Sequence, residues 1–309
     1  MELDHVEAFV AIVRHGGFTR ASAALHLSQP AVSRRIGLLE AELGAPLFER
    51  LPGGPLLTEA GHAFLPHAES LLASMRDGAE AVAALSGESG AVTLALVGTL
   101  ASTALTGRLK RFREQHPQVD LRVGTALSTE VSALVRRGDA NLGLRYHADP
   151  ELDSEVVYEE PMLPVCAPDH PLAGSRSARQ LAGERWIGFP ASAPLQRVLI
   201  NAGLDDAELV PIDSLTAQKR MVEAGFGLAL LPESSVDEEL RTGTLRELRI
   251  AGKRVTIPVL LIHRRRGYLS GAAKALMSEL AAWPGRPAPA REAAGAPGRG
   301  GSRPRATKT

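Results

Sequence analysis

Between Thr19 and Leu43 the chain specifies two short helices with almost no room between them, and that pairing limits the N-terminal fold more than any other feature. Thr19 can cap a first helix through Ala21, Ala23, Ala24 and Leu25, whose small side chains let another helix approach closely. Ser28 is a suitable N-cap for a second helix, Pro30 is tolerated in its first turn and Gly44 is a stop signal, so a helix is expected over Ser28–Leu43. Inside it Val32, Ile36, Leu39 and Leu43 share one apolar face, which directs Gln29, Ser33 and Arg34 elsewhere. Upstream, Leu3, Val6, Phe9, Val10 and Val13 recur at helical spacing until Gly16 and Gly17 end the pattern.

The formal net charge of the 309 residues is +0, so a nucleic-acid partner has to show itself regionally. From Ala8 to Leu39 there is no Asp or Glu, yet Arg14, Arg20, Arg34 and Arg35 are all present. Such a cationic stretch suits a phosphate backbone, although an ordinary solvated surface would carry the same charges. The tight connection Leu25–Ser28 makes the two helices a helix-turn-helix, in which the second enters the major groove N-terminus first. Gln29 can then pair with adenine, Arg34 with guanine and Ser33 more permissively, while Pro30 adds shape and apolar contact.

Downstream, Thr58–Ser86 reads as a longer helix in which Phe64, Ala68, Leu71, Met75, Val82 and Leu85 follow an alternating four-three repeat, with Gly78 on the same seam. A helix that pairs with another helix is expected, kinked at Pro66 and followed by a short polar hinge over Gly87–Gly90.

These segments together resemble the signature of the LysR-type regulators: Phe18-Thr19-Arg20-Ala21-Ser22-Ala23-Ala24, Leu27-Ser28-Gln29-Pro30-Ala31-Val32-Ser33-Arg34-Arg35-Ile36, Leu39-Glu40, Leu43-Gly44, Pro46-Leu47-Phe48-Glu49-Arg50 and Leu57-Thr58-Glu59-Ala60-Gly61. The resemblance implies a winged helix-turn-helix with its wing at Leu51–Leu57. It also implies a linker helix that pairs two subunits into a homodimer or a dimer-of-dimers homotetramer, and a role in transcription with RNA polymerase as a further partner. Its DNA-binding set falls on Thr19, Gln29, Pro30, Ser33, Arg34, Arg35 and Arg50. The wing Leu51-Pro52-Gly53-Gly54-Pro55-Leu56 holds no cation, unlike many relatives, which shifts weight onto Arg50 and Arg34.

Beyond the hinge, β-like runs at Val92–Val97, Val119–Val123 and Asn141–Leu144 alternate with helical segments at Leu105–Phe112 and Val131–Val135. A second set of strands is expected at Met162–Ala167, Trp186–Phe189, Leu209–Ile212, Leu228–Leu231 and Thr256–Ile262. More loosely, Gly138–Leu144, Pro168–Leu172 and Gly225–Pro232 extend the family resemblance. It implies a two-lobed, Rossmann-like effector domain of the periplasmic-binding-protein type 2 kind. The lobes would join near Glu160–Val165 and Ile262–Arg266, with a small-molecule effector in the cleft between them. The first strand runs through Gly98 into Thr99, Leu100 and Ser102 at a helix start, where backbone N–H groups and hydroxyls favour an anionic group such as a carboxylate. Ser128 and Thr129 offer the same chemistry after the next strand. By family position, Phe189, Ala191 and Thr216 are the second-lobe candidates. Each hydroxyl is also an ordinary helix cap.

The expected organisation is α/β with an N-terminal all-α winged helix-turn-helix (1–58), a linker helix (59–87) and an effector domain (91–283). Lobe I would hold 91–161 and 266–283, and lobe II 162–265. The tail 284–309, rich in Pro, Gly, Ala and Arg, is expected to be disordered and basic. No apolar run approaches the roughly 18 residues of a membrane span, the N-terminus lacks the pattern of a secretory signal, and Cys166 has no second cysteine to pair with. A cytoplasmic location without membrane contact is expected. Cys166, in an apolar strand run, reads as an inert buried thiol, and no nucleophile, metal-ligand spacing or cofactor loop suggests an enzyme, a metal or a cofactor. The competing reading is a cytoplasmic solute-binding protein without a regulatory role.

Overall fold

The computed structural model describes residues 1–51, 54–85, 90–173, 181, 183–190, 207–248 and 255–282. The tail 284–309 and Ala191 lie outside the described residues. The chain opens with α1 (Leu3–His15), α2 (Phe18–Ala24) and α3 (Gln29–Leu43). Ser28 Oγ accepts the Ala31 N–H at 3.3 Å, and Gly44 at φ 70° ends α3, so both expected boundary signals operate. His26 turns the chain between α2 and α3 at φ 54°, a conformation side chains rarely adopt. Phe9, Ile12, Val32, Ile36, Leu39 and Leu47 form the core of this unit, each at most 1% exposed.

A hairpin follows, β1 (Phe48–Leu51) paired with β2 (Gly54–Leu57) in the register Phe48↔Leu57. Its base is fixed by polar contacts. Glu40 Oε1 accepts the Leu47 N–H at 2.7 Å and the Phe48 N–H at 3.3 Å. The Thr58 hydroxyl donates to the Pro46 carbonyl at 2.6 Å and accepts the Gly61 N–H at 3.0 Å, which caps α4 (Glu59–Leu85). A Cβ on Gly61 would stand 2.3 Å from the Leu47 carbonyl oxygen, so only glycine lets α4 lie this close to the hairpin base. The signature pieces Leu39-Glu40, Pro46-Leu47-Phe48 and Thr58–Gly61 are thus the parts of one joint. The long helix runs on through Pro66 and Gly78. Ala68 and Leu72 on it close the N-terminal core.

The remainder is one mixed sheet built from β3 (Ala91–Val97), β4 (Asp120–Ala126), β5 (Leu142–Arg145), β6 (Leu152–Cys166), β7 (Arg185–Gly188), β8 (Glu208–Pro211), β9 (Leu228–Pro232), β10 (Arg246–Glu247) and β11 (Val255–Arg264). The order is β4-β3-β5-β11-β6-β9-β7-β8, with β10 beside β6. Helices α5 (Thr103–Gln115), α6 (Ser128–Arg136), α7 (Leu215–Glu223), α8 (Glu233–Thr242) and α9 (Gly271–Ala281) cover it. Lobe I packs around Leu94, Leu96, Phe112, Leu144, Leu261 and Leu276, with Val131, Val135 and Ile262 on the α6 side. Lobe II packs around Trp186, Leu228, Ile187, Val222, Ala229 and Val236. The long antiparallel pair β6–β11 passes through both lobes, from Val255↔Met162 to Arg264↔Leu152.

That pair moves one expected boundary. Leu260, Leu261 and Ile262 pair with β5, and Leu261 and Ile262 lie in lobe I clusters, so the second crossing between lobes falls before them rather than at Ile262–Arg266. The strand expected at Met162–Ala167 is the second half of β6, whose first half is rich in acids and did not read as a strand.

Candidate functional site: a groove-reading helix and an interlobe cleft

On α3 the apolar face is closed, with Val32, Ile36 and Leu39 buried, and the first turn points outward. Gln29, Pro30 and Arg34 are exposed and Ser33 is half-buried. The Arg34 side chain makes no hydrogen bond or ion pair with the described residues. Thr19 is exposed in the first turn of α2. The other cations of this stretch are occupied. Arg35 bonds Asp4 Oδ2 at 2.7 Å, bracing α3 against α1, and Arg20 donates to the Gly16 carbonyl at 2.7 Å. Arg14 pairs with Asp139, beyond α6, at 3.2 Å. Arg50 stands in β1 opposite Pro55.

The cleft candidates sit at the C-terminal ends of parallel strands. Thr99, Leu100 and Ser102 follow β3, and Ser128 and Thr129 follow β4, which pairs with β3 up to Val97↔Ala126. The two groups are therefore neighbours in lobe I. In lobe II, Phe189 follows β7 and Thr216 lies in the first turn of α7, which comes after the adjacent β8. Not every candidate offers free chemistry. Leu100 belongs to the lobe I core, and Ser102 Oγ accepts the Leu105 N–H at 3.4 Å as the cap of α5. Ser128 Oγ is buried with no hydrogen-bond partner, while Thr129 and Thr216 are exposed.

Near these candidates lie three further polar residues, of which Tyr146 and Ser234 were absent from the sequence reading and Glu160 was read only as the start of a lobe junction. The Tyr146 hydroxyl lies 2.9 Å from Thr99 Oγ1. Glu160, 2% exposed on β6 where the strand crosses between lobes, accepts the Ser234 N–H at 3.2 Å. Ser234 opens α8, which packs against the 3-10 turn carrying Thr99, so lobe II closes over the lobe I row at this point. Burial pushes the Glu160 carboxyl above the ordinary carboxylate range, with the Ser234 N–H hydrogen bond pulling the other way and Glu233 adding to the rise. Burial likewise raises the Tyr146 hydroxyl, and that of Tyr158 to about 12. The available signal for Glu160 was an acid close before the apolar run of an expected strand.

Two family models match the chain. One, described as bacterial regulatory helix-turn-helix protein, lysR family, covers residues 3–62, and the other, LysR substrate binding domain, covers residues 85–284. The chain belongs to the LysR family. It is 32% identical over 264 residues to the HTH-type transcriptional regulator CfxR of Cupriavidus necator, covering 82% of each chain. It is also 32% identical to the RuBisCO operon transcriptional regulator of Allochromatium vinosum, over 89% of this chain and 94% of that one. The fold matches the crystal structure of full-length CbnR complexed with its target DNA at a TM-score of 0.62 and 22% identity, covering 91% and 99% of the two chains. The protein is thus a LysR-type DNA-binding transcriptional regulator with an effector-binding domain. Its relatives are regulators, which removes the solute-binding alternative.

In this regulator Cys166 is fully buried and burial raises its thiol above the ordinary range, which suits an inert core residue. Among the described residues no helix is long and apolar enough to cross a membrane.

Because the Glu160 carboxyl is raised in the folded protein, folding favours its protonated form. Its contribution to stability is complete at acid pH and is lost as pH rises through the folded value. Gln at this position keeps an oxygen for the Ser234 N–H and carries no charge. Glu160→Gln is therefore expected to melt above the native protein at about pH 8, the gap closing toward about pH 4. Thermal melts across that range check this, and a gap that is constant or that widens in acid contradicts it.

Proposed function

We propose that α3 reads promoter DNA through Gln29, Pro30, Ser33 and Arg34, with Thr19 and Arg50 gripping phosphates and Arg35 holding α3 at its angle to α1. The observation that carries this reading is the first turn of α3. Its apolar side is buried, and its polar side, ending in the unengaged Arg34, faces solvent. The reading needs two copies, since a recognition helix of this kind finds its half-site in a symmetric pair. The exposed stripe Leu71, Met75 and Val82 on α4, at 44%, 51% and 67% exposure, supplies the pairing surface. The regulator acts in the cytoplasm on DNA and performs no catalytic step. Arg34→Ala is expected to weaken operator binding about tenfold or more, a bidentate base contact being worth roughly 1–3 kcal/mol, while the melting temperature stays unchanged. Anisotropy titration against operator and scrambled duplexes checks this. Equal specific affinity in the variant removes Arg34 from readout.

The effector is a small metabolite bearing a carboxylate that takes the backbone N–H groups at the start of α6 and the Ser128 hydroxyl. Thr99, Ser102, Thr129, Phe189 and Thr216 complete the surroundings and Leu100 backs them. Support comes from the buried Ser128 Oγ without a partner at a helix N-terminus and from Thr99 beside it across the β3–β4 register. The acid Glu160 and the Tyr146 hydroxyl add a place for a hydrogen-bond donor, so a hydroxy or amino acid fits better than a dicarboxylate. A thermal-shift screen of small carboxylates is expected to give hits that stabilise the native protein and not the Thr99→Ala, Ser128→Ala double variant. Hits that shift both proteins equally place the carboxylate site elsewhere.

A further inference from the structure

The α4 helix carries a second stripe that pairing with another copy does not use. Glu69, Ala73, Arg76 and Asp77 lie on the face opposite Leu71, Met75 and Val82, as the 3.6-residue period requires. This polar face is docked on the chain's own lobe I. Ala73 is fully buried, and a Cβ on Gly138 would meet its Cβ at 3.2 Å. Asp77 accepts the Tyr268 N–H at 3.0 Å and pairs with Arg264 at the end of β11. Arg76 donates to the Arg137 carbonyl and lies 3.8 Å from Asp139. Arg137 reaches Asp139 at 3.0 Å, Glu130 at 2.6 Å and Glu69 at 4.0 Å. Asp139 also holds Arg14 of α1 at 3.2 Å.

We propose that this network is an electrostatic latch: Arg14, Glu69, Arg76 and Asp77 of the DNA-reading unit and its linker clasp Arg137, Asp139, Arg264 and Tyr268 of lobe I, fixing the reader's angle to the effector domain. Several members are well shielded, with Asp77, Arg264, Glu69 and Arg137 at 14%, 17%, 18% and 20% side-chain exposure. Shielding keeps such pairs stronger than isolated surface pairs. Burial raises the Glu69 carboxyl while Arg137 and Arg14 pull it back, which fits an acid enclosed by the contact. Because the apolar stripe faces the other way, the latch can open or close with the two copies still paired.

Within lobe I the latch touches two elements that lead toward the cleft. Arg264 ends β11, the strand shared by the lobes, and Arg137 and Asp139 follow α6, whose first residue is Ser128. An effector seated at the start of α6 therefore acts on a helix whose far end holds the DNA reader. This coupling rests on the effector reading above, whereas the latch itself does not.

Hydrogen exchange on the full-length protein tests the latch without DNA or effector. In the native protein, exchange over residues 69–80 and 134–141 is expected to accelerate about tenfold when NaCl rises from about 0.05 to about 1 M, as screening weakens the pairs. The Asp77→Asn, Asp139→Asn double variant is expected to exchange at the fast level at every salt, with native protection retained over the lobe II strand 228–232 showing that lobe intact. Salt-independent protection in the native protein overturns the latch, whether or not the variant folds. So does a folded double variant with native protection.

Discussion

The 3.6-residue period of α4 is the constraint from which the remaining architecture follows. One helix presents three distinct faces because its side chains emerge at fixed angles. Phe64, Ala68 and Leu72 finish the core of the N-terminal unit. Leu71, Met75 and Val82 carry an apolar stripe onward that stays exposed among the described residues. On the opposite face Ala73 and Asp77 meet lobe I. A shift of one residue would put Arg76 or Gly78 where Asp77 meets Arg264, and Ser74 or Arg76 where Met75 stands in the apolar stripe. The joint at Thr58 and Gly61 sets that phase, since the cap and the 2.3 Å limit at Leu47 leave α4 little freedom to rotate against the hairpin.

In the C-terminal domain the corresponding element is the β6–β11 pair. Both strands pass through both lobes, so bending between lobes is concentrated in a ladder of backbone hydrogen bonds rather than in loose connections. Glu160 sits on that ladder and holds the start of α8. A buried carboxyl that folding would rather protonate is a cost the structure tolerates where the strand crosses between lobes.

Much of the N-terminal unit was legible because its signals are local. The Ser28 cap, the apolar spacing of Val32, Ile36 and Leu39 and the stop at Gly44 all act within a few residues and operate as read, whereas Leu43, read onto the same face, is exposed at the helix end. The linker's apolar stripe was legible for the same reason. Its polar face was not, since Asp77 meets a partner at Arg264, far along the chain, and a charge on an exposed-looking face carries no mark of that. The charge count also misled. Arg14, Arg20 and Arg35 read as a basic surface, yet each has a partner inside the chain, and Arg34 alone of the four is unengaged among the described residues. In the effector domain the strands were visible as apolar runs, but the acids in the first half of β6 hid its length, and with it the true crossing point before Leu260. Ser102 shows the limit of reading hydroxyls from sequence, because its role as a cap uses the same geometry that an anion site would.

A nuclease footprint of the purified regulator on the DNA beside its own gene, at several salt concentrations and with nonspecific competitor, tests the account most directly. Two α3 helices carried by a pair of α4 helices should protect an inverted repeat whose half-sites are offset by a whole number of helical turns, roughly 10 base pairs each, and the protection should survive competitor. Protection that vanishes with competitor, or none at any salt, would contradict a paired, sequence-reading α3.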